Sequence, residues 1–136
     1  MDRGRIDGVG AGVAPAARPV VHLELHTGDL SRVPDFYERL LGWQATRLET
    51  AHGCYLAFGL GGGGGGLTGG LVQCATEFPR WLPYVEVDQI KAVTERAERL
   101  GASVLLGPRE GPGGWRSVIS APCGGQVALW QPKAWR

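Results

Sequence analysis

One pattern occurs twice in this chain, and a repeat of that kind admits few folds. Between Asp29 and Gly42, the apolar residues Leu30, Val33, Phe36, Tyr37, Leu40 and Leu41 fall on one side of a helical wheel, with Asp29 or Ser31 placed to cap and Gly42 to stop the helix. The same displacement along the chain carries Asp29 to Asp88 and Gly42 to Gly101, which bracket a second helix with Ile90, Val93, Ala97 and Leu100 as its apolar face. A strand precedes each helix. In the first, Val21, Leu23 and Leu25 alternate with His22, Glu24 and His26, and in the second Val85 and Val87 alternate with Tyr84 and Glu86. Three further strands are predicted after each helix, at 43–49, 54–58 and 71–75 and then at 103–106, 115–120 and 126–130. A single strand-helix-strand-strand-strand unit has one bare sheet face, so two must pack together, and the concavity between them becomes a pocket. The sequence therefore predicts one α+β domain of two tandem βαβββ modules, at about 20–76 and 80–133, forming a curved mixed sheet around a pocket for a small organic molecule.

Length and charge narrow the partners. A chain of 136 residues suits one domain with a core of its own. The net charge of +1, from 14 basic and 13 acidic residues that are interspersed, gives no field for a polyphosphate backbone, so nucleic acid is not expected. Cys54, Cys74 and Cys123 are an odd set with no CxxC pair, which argues against a disulfide framework or zinc knuckle and for a reducing cytoplasm. No segment approaches the roughly 20 apolar residues that span a bilayer, and Met1 to Pro19 lacks the apolar run of a signal peptide, so no membrane association is expected. Residues 1–19, rich in Gly, Ala, Pro and Arg without periodicity, read as a disordered tail. The glycine tract from Gly59 to Gly66 is followed by no Gly-Lys-Ser/Thr, so it is no phosphate loop. It reads as a flexible hairpin connection, with a lid over a ligand as the alternative.

Two runs carry a family resemblance. His22-Leu-Glu-Leu-His-Thr-Gly-Asp29 followed by Asp35-Phe-Tyr-Glu-Arg-Leu-Leu-Gly-Trp43 resembles the opening module of the vicinal oxygen chelate superfamily, which includes glyoxalase I, bleomycin-resistance proteins and extradiol dioxygenases. Trp81-Leu-Pro-Tyr-Val-Glu-Val-Asp88, Leu100-Gly-Ala102 and Ala121-Pro-Cys-Gly-Gly-Gln126 resemble its second module, so the likeness runs from about Val20 to the end. The resemblance implies a divalent metal held by one ligand from each of four strands. His22 stands at the first ligand position, but the matching places in the fifth and last strands hold Leu82 and Ala128, and the fourth strand near Leu71 to Cys74 offers no carboxylate. No resident metal is expected on this count, with a divalent ion held through His22 as the alternative. The resemblance also implies a homodimer with ligand sites at the seam.

On a strand, His22, Glu24 and His26 share one face, and the resemblance turns that face toward the pocket, opposite Leu82, Tyr84 and Glu86. Three readings stay open at this point. The charged groups lie solvated at a rim; or they orient a polar ligand while tryptophans stack on its rings; or Glu24 or His22 moves a proton while Tyr84 donates a hydrogen bond. Trp130, which shares a face with Gln126 and Ala128, joins the ligand-binding candidates with Gln126 and Trp115, core packing being the other reading for the two tryptophans. The expected function is metal-independent binding of an aromatic or polyketide-like molecule, as in bleomycin-resistance proteins. The alternative is an enzyme of the same superfamily, a lyase, isomerase, cyclase or dioxygenase-like member, using His22 and Glu24 with Tyr84 and Glu86.

Overall fold

The structure, a computed structural model, describes residues 15–50, 53–61, 67–75 and 78–133. Its elements run β1 (Val20–Thr27), α1 (Val33–Leu41), β2 (Ala45–Thr50), β3 (Gly53–Phe58), β4 (Thr68–Gln73), β5 (Arg80–Glu86), α2 (Ile90–Arg99), β6 (Ser103–Glu110), β7 (Gly114–Ser120) and β8 (Gln126–Pro132). The strands form one mixed sheet in the order β2-β3-β4-β1-β5-β8-β7-β6. At its middle β1 lies antiparallel to β5, flanked by β4 parallel to β1 and β8 parallel to β5. The halves on either side of this seam repeat one arrangement, which is the α+β architecture of two βαβββ modules.

Local chemistry accounts for most boundaries. The Asp29 carboxylate accepts hydrogen bonds from the Ser31 N–H (3.0 Å), the Ser31 hydroxyl (2.7 Å) and the Arg32 N–H (3.1 Å), tightening the turn before α1. Helical geometry begins only at Val33, with Pro34 in the first turn where its missing N–H is not needed. Gly42 ends α1 at φ 76°, its N–H bonded to the Glu38 carbonyl at 2.9 Å. The N-terminus of α2 is capped from a distance, since the Ile90 N–H donates to Gln131 Oε1 at 2.8 Å. β4 starts at Thr68, three residues before the predicted start, because Gly69 and Gly70 join its ladder with β1.

Both helices cover the same face. Leu25 pairs with Leu71 on one side and Trp81 on the other, and Leu25, Phe58 and Leu71 form a buried cluster against which Val33, Tyr37, Trp43 and Trp81 pack. Under α2 the equivalent cluster is Val87, Ile90 and Leu129, with Val93, Trp115 and Ile119 against it. The buried Thr94 hydroxyl donates to the Ile90 carbonyl (2.7 Å) and so accepts from Ser117 (2.8 Å), tying α2 to β7. Trp115, expected among the ligand-binding residues with core packing as the other reading, belongs to the helix-covered core.

Part of the predicted tail is built into the fold. Residues 1–14 lie outside the described residues, but Arg18 forms an ion pair with Asp88 at 2.8 Å and the Pro19 carbonyl accepts from the Glu86 N–H at 3.0 Å. The glycine tract joins β3 to β4, and its residues 62–66 lie outside the described residues. No helix among the described residues is long and apolar enough to cross a membrane.

Leu71, 2% exposed at the centre of the first cluster, tests this packing. Leu71→Ala is expected to lower unfolding free energy by about 2–5 kcal/mol, whereas Leu105→Ala, at an exposed site, should change it by less than about 0.5 kcal/mol; urea denaturation reads both.

Candidate functional site

Among the described residues the opposite face carries no helix, and strand registers decide what it displays. His22, Glu24 and His26 stand beside Thr68, Gly70 and Val72 of β4 and beside Tyr84, Leu82 and Arg80 of β5. Tyr84 pairs onward with Ala128, which pairs with Val118, and Trp130 pairs with Arg116. The result is an imidazole-carboxylate row at the seam, bordered by the apolar group Leu82, Tyr84 and Ala128 with Val118 and Trp130 against it.

Glu24 is the hub. Its Oε1 accepts from the Tyr84 hydroxyl and from His26 Nε2, both at 2.8 Å. Its Oε2 lies 3.7 Å from His22 Nε2, an ion-pair distance too long for a hydrogen bond. Because a carboxylate only accepts, the His26 proton in this bond sits on Nε2. His22 is held from both ends: the Thr68 hydroxyl donates to the Val21 carbonyl (3.3 Å) and so accepts from Nδ1 (2.6 Å), while Nε2 lies 3.3 Å from the Tyr55 hydroxyl. Arg116 completes the chain by donating from Nη1 to the Tyr84 hydroxyl at 3.0 Å. The Glu24 side chain is 9% exposed while those of His22 and His26 are 18% and 20% exposed. The carboxylate is therefore shielded while parts of both imidazoles reach the surface.

These contacts set the charge states. Burial alone would push the Glu24 carboxyl up, yet His22, His26 and Tyr84 outweigh it and hold the group at about 2, below its ordinary 4.5. The two phenols shift the other way. Burial, and then the Glu24 charge, push Tyr55 up to about 12 and Tyr84 further up, although Arg116 pulls Tyr84 back in part. Both phenols stay protonated as donors at neutral pH.

The other candidates are placed unevenly. Trp130 lies on this face, its ring 6.3 Å from that of Tyr84 in an edge contact. Gln126 stands on the same face at the start of β8, opposite Ser120 and remote in register from Glu24. Glu86 is exposed at the far end of β5 beside residues 15–19, so it is not brought to the Glu24 cluster. Tyr55, Thr68 and Arg116 belong to the network and escaped the sequence reading. Tyr55 reaches His22 across β4 only because residue 70 is glycine: a Cβ there would collide with the Tyr55 hydroxyl. Two clefts, of about 380 Å³ between α2 and β6 and about 400 Å³ beside residues 15–19, lie away from this network. The chemistry is concentrated on the sheet face.

Comparison with known proteins gives this geometry a family context. The glyoxalase-like domain matches residues 20–130, from β1 into β8. The chain belongs to the glyoxalase-like domain family. It is accordingly a member of the vicinal oxygen chelate superfamily. CFP32 of Mycobacterium bovis and of Mycobacterium tuberculosis, which carry a provisional glyoxylase name, are 30% identical over 114 residues, or 80% of this chain. The chain spans 44% of the length of these curated relatives. Among solved structures, methylmalonyl-CoA epimerase from Mycobacterium tuberculosis is similar with a TM-score of 0.61 at 14% identity, over 85% of this chain and 89% of that one. The Streptomyces coelicolor epimerase in complex with 2-nitronate-propionyl-CoA gives 0.61 at 15%, over 88% and 97%. A hypothetical protein from Bacillus halodurans gives 0.65 at 12%, over 89% and 99%. At these identities the likeness is one of fold.

The superfamily's metal can be tested against the residues of this glyoxalase-like domain. The fifth- and last-strand places that the superfamily's ligand pattern pairs with His22 hold Leu82 and Ala128, both buried in the apolar group, and on β4 the residue beside Glu24 is Gly70. Among the described residues no three His, Cys, Asp or Glu side chains are grouped to hold a metal ion. One imidazole and two apolar residues do not fit a four-ligand divalent site.

Since the Glu24 pKa is depressed in the folded protein, its stabilising effect is fully present above about pH 5 and is lost as pH falls toward 2. The stability difference between wild type and Glu24→Gln should therefore be on the order of 3 kcal/mol near neutral pH and shrink steadily on acidification, as followed by urea denaturation across that range.

Proposed function

We propose that this domain binds a small molecule with an aromatic or polyketide-like body on its helix-free face, without a metal ion, and sequesters or carries it. The ionised, shielded Glu24 bonded by Tyr84 and His26 carries this reading. A carboxyl held at about 2 is a weak proton acceptor at neutral pH, but as a fixed anion it orients a phenol and an imidazole beside the partly exposed Val118 and Trp130, which pack on the buried Leu82 and Ala128. Apolar lining with a few oriented polar groups is the usual anatomy of a small-molecule site. Pairing of two copies belongs to the same reading, supported by α1, where Phe36, Leu40 and Leu41 are 56%, 63% and 50% exposed. The free thiols of Cys74 and Cys123 support a cytoplasmic setting.

A second reading, an enzyme of the same superfamily, is favoured by His26. Its Nε2 proton is committed to Glu24 and, among the described residues, its Nδ1 has no hydrogen-bond partner, so a carboxylate-oriented imidazole is available to accept a proton. In this reading His26 is the base, Glu24 its positioning residue, and Glu86 takes no part. The glyoxylase name of the CFP32 relatives and the epimerases among the similar folds support it.

Native mass spectrometry on protein purified without chelator and mixed with a panel of aromatic polyketides separates the readings. The expected result is a two-chain species without a stoichiometric divalent ion, holding a ligand of unchanged mass, with Trp130→Ala weakening binding about tenfold or more. A product of altered mass that disappears in His26→Gln would transfer the assignment to the enzyme, and a stoichiometric metal would contradict the metal-independent reading.

A further inference from the structure

Arg109 and Arg116 stand directly opposite each other across β6 and β7, and ladder partners project to the same side. Arg116 in turn pairs with Trp130, so both guanidinium stems leave the sheet on the helix-free face. Arg116 is half-buried, and its polar contact is the neutral Tyr84 hydroxyl. Among the described residues neither arginine forms an ion pair. Of the acids near this row, Glu110 pairs with Lys133 at 2.9 Å and Glu24 is occupied by Tyr84 and His26. Glu86 stands on the same face with Trp130 between it and Arg116, and among the described residues it forms no ion pair to either arginine.

Two like charges directly opposed across a ladder destabilise it, and a half-buried cation without a counter-charge adds a desolvation cost. An anion placed between them removes both penalties. The planar fork of arginine matches a carboxylate in two parallel hydrogen bonds. Beside this pair, the Trp130 ring lies over Gly113 and Gly114, with ring carbons 3.5 and 3.0 Å from where their Cβ atoms would be, and so presents a flat apolar surface next to the guanidinium groups.

We infer that the ligand of this face is an aromatic carboxylate, its carboxylate clamped by Arg116 and Arg109 and its ring packed beside Trp130. The inference rests on the binding reading above and adds the charge and orientation of the ligand. Sequence alone could not point to it, since the two arginines come together only through the β6–β7 register.

The test uses 1-naphthoate, its neutral isostere 1-naphthamide and inorganic phosphate, followed by calorimetry and by the Trp130 indole N–H resonance of the full chain. 1-Naphthoate should bind and move that resonance, with 1-naphthamide at least about tenfold weaker, as expected for loss of a charge-assisted pair. Arg116→Gln should abolish the preference for the acid, and Arg109→Gln, at an exposed position that the fold does not depend on, should reduce it in part. Equal binding of acid and amide at Trp130, unaffected by either variant, would overturn the carboxylate clamp and leave the binding face standing. Phosphate competing as well as 1-naphthoate would overturn the aromatic carboxylate class. Failure of both naphthalene compounds to move the Trp130 signal would overturn the clamp and the binding face together.

Discussion

The antiparallel pairing of β1 with β5 holds this molecule's two halves together and creates its polar centre in the same step. The register that sets His22 against Tyr84 and Glu24 against Leu82 brings the phenol of the second module within 2.8 Å of the carboxylate of the first. A slip of one residue would turn the imidazole-carboxylate row under the helices and expose Leu23 and Leu25 instead. The apolar clusters beneath α1 and α2 therefore fix the register, and the register fixes the site.

Burying a carboxylate is costly unless its oxygens are satisfied. Here the cost is offset by a connected chain in which Arg116 donates to Tyr84 and Tyr84 donates to Glu24, while His26 donates to the same oxygen. Such linked hydrogen bonds polarise one another. The raised Tyr84 and the lowered Glu24 are two expressions of one arrangement, in which an anion stabilises protonated neighbours and is stabilised by them. The same arrangement deprives Glu24 of basicity and leaves His26 Nδ1 and the arginine pair as the groups with capacity to spare. This is the physical reason for weighing ligand binding above proton transfer by the carboxylate.

Local periodicity made much of this legible beforehand. The duplicated helix brackets and the alternation in β1 and β5 depend on neighbours within a few residues, so the module order and the shared face of His22, Glu24 and His26 could be read directly. What depended on distant partners could not. The start of β4 was obscured by Gly69 and Gly70, residues that strand propensity disfavours but that β1 pairing and the passage of the Tyr55 side chain require. The α2 cap comes from Gln131, 41 residues away. The core placement of Trp115 could not be read beforehand, because the strand's parity is set by its pairing with β8, where Ser117 and Leu129 face the helix side. Arg116 carried no signal in a run of Gly, Trp, Arg and Ser until its ladder partners were known.

In the glyoxalase-like fold this chain keeps the first imidazole position and fills the fifth- and last-strand ligand places with Leu82 and Ala128, so the site is organised by a buried anion. The most direct measurement is a carbon-detected NMR titration of the Glu24 side-chain carboxylate, assigned by its absence in Glu24→Gln. A midpoint near 2 would agree with a carboxylate held by Tyr84, His26 and His22. A midpoint at or above the ordinary 4.5 would show that these groups do not hold the charge, and the account built on it would fail.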